Sequence, residues 1–132
     1  MVNFKNSEYV KKEIVKKQKE FLHNIGNVLS PMGFIITDCN IGFVEFGLLD
    51  SNGLWLVCKT KISIERDQFN QGEYKLVTNF GATGAFNMED SDTANFYIQF
   101  GKLLGDSSLL KYIKDALISY ETTISELQKK FS

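Results

Sequence analysis

The chain has little cysteine, proline, histidine or arginine, and each shortage excludes a class of protein. Its 132 residues include two cysteines, one proline, one histidine and one arginine. Two cysteines fall short of the larger even sets found in disulfide-stapled secreted domains. One proline argues against collagen-like and proline-rich chains. The lone histidine excludes a multi-histidine metal site, and Cys39 and Cys58 lack the close pairing of zinc motifs. The sequence therefore predicts a reduced, cytoplasmic protein without a structural disulfide, a metal ion or a cofactor.

A long apolar run and an excess of one charge are also missing. No stretch approaches the roughly 18 apolar residues of a membrane-spanning helix, and the N-terminus does not have the pattern of a signal peptide. Lysine and arginine total 15 against 16 aspartate and glutamate residues, which leaves a formal net charge of -1. A phosphate-binding stripe would normally add arginines, and Arg66 is the only one. Membrane and nucleic-acid partners are therefore not expected.

Hydrophobic residues, in contrast, are plentiful. They make up 43% of the chain, and 11 phenylalanines dominate the aromatic residues. This is ample material for one hydrophobic core, so we predict a single domain over residues 1–132. The near-zero net charge hides an uneven distribution. Residues 1–30 carry six lysines against three acidic residues, and residues 31–90 carry four basic against eight acidic residues. Such a dipole is compatible with contact to an acidic protein surface.

The hydrophobic period changes twice along the chain. A helical period covers residues 7–29, with Ser7 as the expected N-cap, although Lys11 and Gln18 interrupt the apolar arc. An alternating period then predicts strands over residues 33–37, 43–49, 54–65 and 74–80, with Phe86 as an alternative end of the last strand. Helical spacing returns over residues 91–104 and from residue 107 onward. The predicted class is α+β, with an N-terminal helix, a four-stranded antiparallel meander and two C-terminal helices packed on the sheet.

The turn between the second and third strands assigns side chains to the two faces of the sheet. Asp50-Ser-Asn-Gly53 is a strong hairpin signal, and loops of two or four residues keep the same side-chain parity. The core face is then expected to contain Phe43, Gly47, Leu49, Leu54, Leu56, Cys58, Thr60, Ile62, Ile64, Tyr74, Leu76 and Phe80. The opposite face is expected to contain Val44, Phe46, Leu48, Trp55, Val57, Val77, Lys59, Lys61, Ser63, Glu65, Lys75 and Asn79.

Half of that opposite face is apolar, although the solvated face of an antiparallel sheet is usually polar. In one interpretation the helix over residues 91–104 covers it with Phe96, Phe100 and Leu103. In the other it is an exposed binding surface, formed by Val44, Phe46, Leu48, Trp55 and Val57 with Lys59, Lys61 and Lys75 at its rim. The leading hypothesis is therefore a non-enzymatic protein-binding module, such as an inhibitor, immunity protein, chaperone or adaptor. Its partner would be another protein or a second copy of the chain.

The alternative hypothesis is a small-ligand binding domain or small enzyme. By the same parity Glu45 falls on the core face, where burial would raise the pKa of its carboxyl and suit it to acid or base chemistry. With Cys58 and Thr60 it would line a pocket between the sheet and the helices. A place near a sheet edge, a bond to a hydroxyl such as Thr60, or a bulge that reverses the parity would also explain Glu45. No catalytic set is evident, so an enzyme is the less favoured expectation.

Overall fold

The computed structural model describes residues 4–66, 73–81 and 91–130. Its helices are α1 (Phe4–Leu29), α2 (Ser91–Gly105) and α3 (Ser107–Lys130), and a short 3-10 helix covers Ser30–Met32. Its strands are β1 (Ile35–Asn40), β2 (Phe43–Leu49), β3 (Leu56–Arg66) and β4 (Tyr74–Gly81). The strands form one sheet in the order β1-β2-β3-β4, and every neighbouring pair is antiparallel. This confirms the predicted α+β class and the meander.

All three helices contribute to one hydrophobic core. Their buried apolar side chains are Phe21, Ile25 and Leu29 of α1, Phe96, Phe100 and Leu103 of α2, and Ile113, Leu117, Tyr120 and Ile124 of α3. The rings of Phe21 and Tyr120 stack with centroids 4.7 Å apart, which ties α1 to α3. Each large apolar side chain that is fully buried contributes about 1.5–3 kcal/mol. Because the helices share this core with one set of strand residues, they lie on one face of the sheet.

Several element boundaries differ from the prediction. α1 begins at Phe4, so Ser7 lies inside the helix and is not its N-cap. β1 begins later than expected, since Pro31 belongs to the 3-10 helix and Gly33, with φ of 89°, ends that turn in the left-handed region that favours glycine. The expected continuation of β4 to Phe86 lies outside the described residues.

Asp106 caps the N-terminus of α3. Asp106 Oδ1 accepts hydrogen bonds from the backbone N–H of Ser108 at 3.0 Å and of Leu109 at 3.2 Å, and from the Ser108 hydroxyl at 2.6 Å. These are the bonds of an N-cap, and they hold the pKa of Asp106 below its usual value, with the Ser108 hydroxyl as the largest cause. The cap fixes where α3 turns back to pack beside α1.

Candidate protein-binding surface

A bulge in β3 determines which side chains reach each face of the sheet. Leu49 pairs with Leu56 across a six-residue loop, which keeps the parity of the predicted two- or four-residue loop. The next pair is Leu48 with Cys58, so Val57 is left over. An extra residue on one strand reverses the parity of everything beyond it. From this point on, Phe46 lies opposite Thr60 on the same face of the sheet.

Three side chains predicted for an exposed face are therefore in the core. Val44 and Phe46 are fully buried and Leu48 is 5% exposed. The extra residue, Val57, also packs against the core. The placement of these four residues on a solvent-facing surface is wrong. The bulge shifts the pairing of β2 with β3 by one residue, so Val44, Phe46 and Leu48 lie on the same face as Cys58, Thr60 and Ile62. α2 does cover Phe46, whose ring centroid lies 6.4 Å from that of Phe100, but it does so on the core face.

The other members of the predicted surface remain outside the core. Trp55 is 73% exposed, Lys75 is exposed, and Lys59 and Lys61 are partly exposed. We define the outer face as the sheet face opposite the helices. Its described side chains are Ile35, Asp38, Asn40, Phe43, Glu45, Leu49, Leu56, Lys59, Lys61, Ser63, Glu65, Lys75 and Val77.

The predicted pocket of Glu45, Cys58 and Thr60 does not assemble. Cys58 and Thr60 are 3% and 1% exposed on the core face, and Glu45 lies on the outer face. The expectation that Glu45 points into the core is therefore wrong, and the reversed parity is the reason. Its Oε1 accepts a hydrogen bond of 2.8 Å from the hydroxyl of Thr37 and lies 3.9 Å from Lys59 Nζ. A hydroxyl does bond this carboxylate, but it is that of Thr37 on β1.

Charges on the outer face are largely matched by neighbours on the same face. Lys61 Nζ lies 3.8 Å from the ring centroid of Phe43, and Lys75 Nζ lies 3.9 Å from Glu65 Oε2. An exposed ion pair such as that of Lys75 with Glu65 contributes at most about 1 kcal/mol. The face is thus electrically balanced, with apolar side chains between paired charges.

The loop that joins β2 to β3, residues 50–55, presents two large apolar side chains to solvent. Leu54 is 74% exposed and Trp55 is 73% exposed. The loop is nevertheless fixed from within. Asp50 Oδ1 accepts hydrogen bonds from the N–H groups of Leu54 at 2.9 Å and Trp55 at 3.4 Å, and the Asp50 N–H donates to the Trp55 carbonyl at 2.7 Å. Gly53, with φ of 72°, supplies the left-handed residue of the turn.

The same loop is attached to the helical layer. The backbone N–H of Ser51 donates a 3.1 Å hydrogen bond to Asp92 Oδ1 in the first turn of α2. The carboxylate of Asp92 therefore connects the β2–β3 loop to α2. Together with Asp50, this contact fixes the direction in which Leu54 and Trp55 project.

Acid is expected to loosen this loop through Asp50. The Leu54 N–H bond, with smaller contributions from Trp55 and the turn, holds the pKa of the Asp50 carboxyl below its usual value. A lowered folded-state pKa stabilises the fold above the unfolded pKa of about 4, and that stability is lost as pH falls through the folded pKa. Asp50→Asn should therefore show a shallower loss of stability on acidification, measured by urea unfolding at several pH values. Equal slopes for the two proteins would contradict this.

Sequence reasoning missed three exposed apolar residues. Leu54 and Leu49 were expected in the core but are 74% and 41% exposed, and Ile35 on β1 is 41% exposed. The outer-face position of Leu49 also follows from its pairing with Leu56. The signal for Leu54 was present, because an apolar pair directly after the turn glycine has no strand neighbour to cover it.

The remaining chemistry is sparse in the part of the chain that the structure describes. There, no group of three or more histidine, cysteine or acidic residues is placed to hold a metal ion. Neither Cys39 nor Cys58 is in a disulfide, and burial, with a smaller effect of Asp38, raises the pKa of Cys39. Among the described helices, none combines the length and the hydropathy that crossing a membrane requires. No protein-family model, curated protein or solved structure matches the chain.

Proposed function

We propose that the chain is a non-enzymatic protein-binding module that engages its partner with the β2–β3 loop and the adjoining outer face. The observation that supports this most directly is the exposure of Leu54 and Trp55, 74% and 73%, in a loop held by its own hydrogen bonds. An inhibitor, immunity protein, chaperone or adaptor would act in this way.

Energetics favour Trp55 as the anchor of such an interface. Tryptophan is enriched among the residues that dominate binding energy, particularly where it enters a desolvated pocket of the partner. A loop already fixed in one conformation loses little entropy on binding, so more of the contact energy appears as affinity. Asp50 provides that preorganisation here, since its carboxylate accepts hydrogen bonds from both exposed residues.

The chemistry of the outer face indicates what kind of protein surface fits it. Leu49 and Leu56 pair beside the loop. Ile35 of β1 pairs with Gly47 of β2, which in turn pairs with Lys59 of β3. Beyond them the charges are matched within the face. A complementary partner would therefore offer an apolar pocket for the loop and a rim of mixed charge. A second copy of the chain is one such partner. The oligomeric state of the free chain distinguishes a second copy from a different protein.

Removing Trp55 should leave the fold intact and weaken partner binding. The wild-type chain is used to capture its partner, and the purified partner is then titrated against wild type and Trp55→Ala. We expect at least about a tenfold loss of affinity, the effect of an interface anchor. Trp55 is the only tryptophan, so it accounts for the tryptophan fluorescence of the free chain. Because the indole is exposed, this fluorescence should be quenched by solvent in the free chain and protected in the complex. Sedimentation of the chain alone shows whether the partner is a second copy.

Ile98→Ala is the matched control. Ile98 is 56% exposed on α2, so its truncation removes a comparable exposed apolar side chain from another element. It should bind the partner like wild type. If Trp55→Ala and Ile98→Ala bind equally well, or if the indole stays equally quenched in the complex, the loop is not the binding site.

A further inference from the structure

The free edge of β1 lies beside a groove that the proposed loop interface does not use. β1 is the first strand in the sheet order, and in the described residues only β2 pairs with it. Its other edge carries the backbone N–H and C=O groups that an added strand would use. Strand addition is therefore a binding mode open to this edge, on either side of its bulge between Ile36 and Asp38.

The groove runs between this edge and α1. It has a volume of about 350 Å³ and is lined by Gln18, Leu22, Ile36, Thr37, Asp38 and Cys39. Leu22 is 39% exposed although it lies next to the apolar stripe of α1, and Ile36 is partly buried against the core. In a strand, alternate side chains point to the same face. Every second residue of an added strand could thus enter the groove and contact Leu22 and Ile36.

Charge indicates which strand fits. On a helix, residues at about 100° intervals place Lys11, Lys12 and Lys19 within about 80° of Leu22, on the flank of α1 beside the groove, and all three are exposed. Glu8 is the acidic residue on the same flank. This side of the groove is therefore basic, while Asp38 on the strand side disfavours an acidic residue directly beside it.

We propose that the β1 edge and the lysine-bearing flank of α1 bind an extended acidic segment of a protein partner by strand addition, with one of its apolar side chains against Leu22 and Ile36. A second copy of the chain fits less well. Antiparallel pairing of two β1 strands would bring two basic α1 flanks together, and like charges repel. This surface is separate from the β2–β3 loop, so the proposal does not depend on the function proposed above.

Two labelled peptides test the proposal directly. Each has about eight residues, enough to span β1 at about 3.3 Å per residue. One alternates isoleucine with glutamate, and the other has lysine in place of glutamate. Fluorescence anisotropy should show saturable binding of the glutamate peptide, at least about tenfold tighter than the lysine peptide and weakened by added salt. Backbone amide shifts in NMR spectra should be confined to β1, Leu22 and its neighbours.

Matched variants locate the site. Leu22→Glu and Lys19→Glu should each weaken binding of the glutamate peptide by about tenfold. Ile98→Glu places the same charge on an exposed aliphatic position of α2 and should leave binding unchanged. Trp55→Ala should also bind the peptide normally, so failure here is distinguishable from failure of the loop interface. Equal binding of both peptides, no binding of either, amide shifts elsewhere, or dimerisation of the free chain through β1 would overturn the proposal.

Discussion

Phe46→Ala is expected to destabilise the fold by about 3–5 kcal/mol, the usual result of truncating a fully buried phenylalanine. Phe46 has no exposed surface and its ring centroid lies 4.9 Å from that of Phe34 and 6.4 Å from that of Phe100. The substitution would leave a cavity where β2, α2 and the start of β1 meet. Trp55→Ala, by comparison, should change the free energy of unfolding by less than about 0.5 kcal/mol, because the indole is mostly in solvent.

Urea unfolding followed by far-ultraviolet circular dichroism measures both effects on one scale. Phe46→Ala retains Trp55, so fluorescence provides a second signal from the loop in that variant. Sequence parity placed Phe46 and Trp55 on the same face of the sheet. The two substitutions test whether Phe46 is instead in the core and Trp55 on the surface. A stable Phe46→Ala protein, or a Trp55→Ala protein that unfolds, would mean that the pairing of β2 with β3 differs from that described.

Element type and order could be predicted from the sequence because each depends on a local period. The apolar spacing of α3 places Ile113, Leu117, Tyr120 and Ile124 on one stripe, and all four are buried. The hairpin signal ending in Gly53 also corresponds to the observed turn. Such features need only information within about ten residues, which the sequence contains directly.

The assignment of side chains to the two faces of the sheet was wrong because it extended the alternation of one strand across the hairpin to the other. Within β2, the alternation of Val44, Phe46 and Leu48 with Glu45 and Gly47 already marks the first set as core. β3 has its own alternation, in which Cys58, Thr60 and Ile62 are core and Lys59 and Lys61 are outer. The two alternations conflict if the loop alone sets the register. Burial of an apolar face determines register more strongly than turn length, so one extra residue, Val57, reconciles the strands.

Parts of the candidate site could be predicted and parts could not. The outer positions of Lys59, Lys61 and Lys75 follow from alternation within their own strands. The bond between Thr37 and Glu45 requires knowledge of the β1 register, which contains a bulge of its own between Ile36 and Asp38. The groove beside β1 likewise depends on how α1 packs against the sheet, and long-range packing of this kind has no signature in a short stretch of sequence.

Gly47→Ala is expected to cost about 1–3 kcal/mol, the usual effect of forcing extra volume into a packed site. A β-carbon at Gly47 would collide with the backbone carbonyl oxygen of Cys58 and lie 3.0 Å from Leu56 Cδ1. The side chain of Leu56 can move, but the carbonyl belongs to the bulge and moves only with the strand. The absence of a side chain at Gly47 therefore allows the bulge that sets the two faces of the sheet.

Gly101→Ala on α2 is the control for this substitution. A β-carbon there meets nothing within 4 Å, and replacing glycine in a helix stabilises by up to about 1 kcal/mol. The two glycine variants should thus change the free energy of unfolding in opposite directions in the same urea experiment. If Gly47→Ala were as stable as wild type, the close approach of β2 to the Cys58 carbonyl would be absent. Without the bulge, Val44, Phe46 and Leu48 would return to the outer face, where they would extend the apolar surface around Trp55.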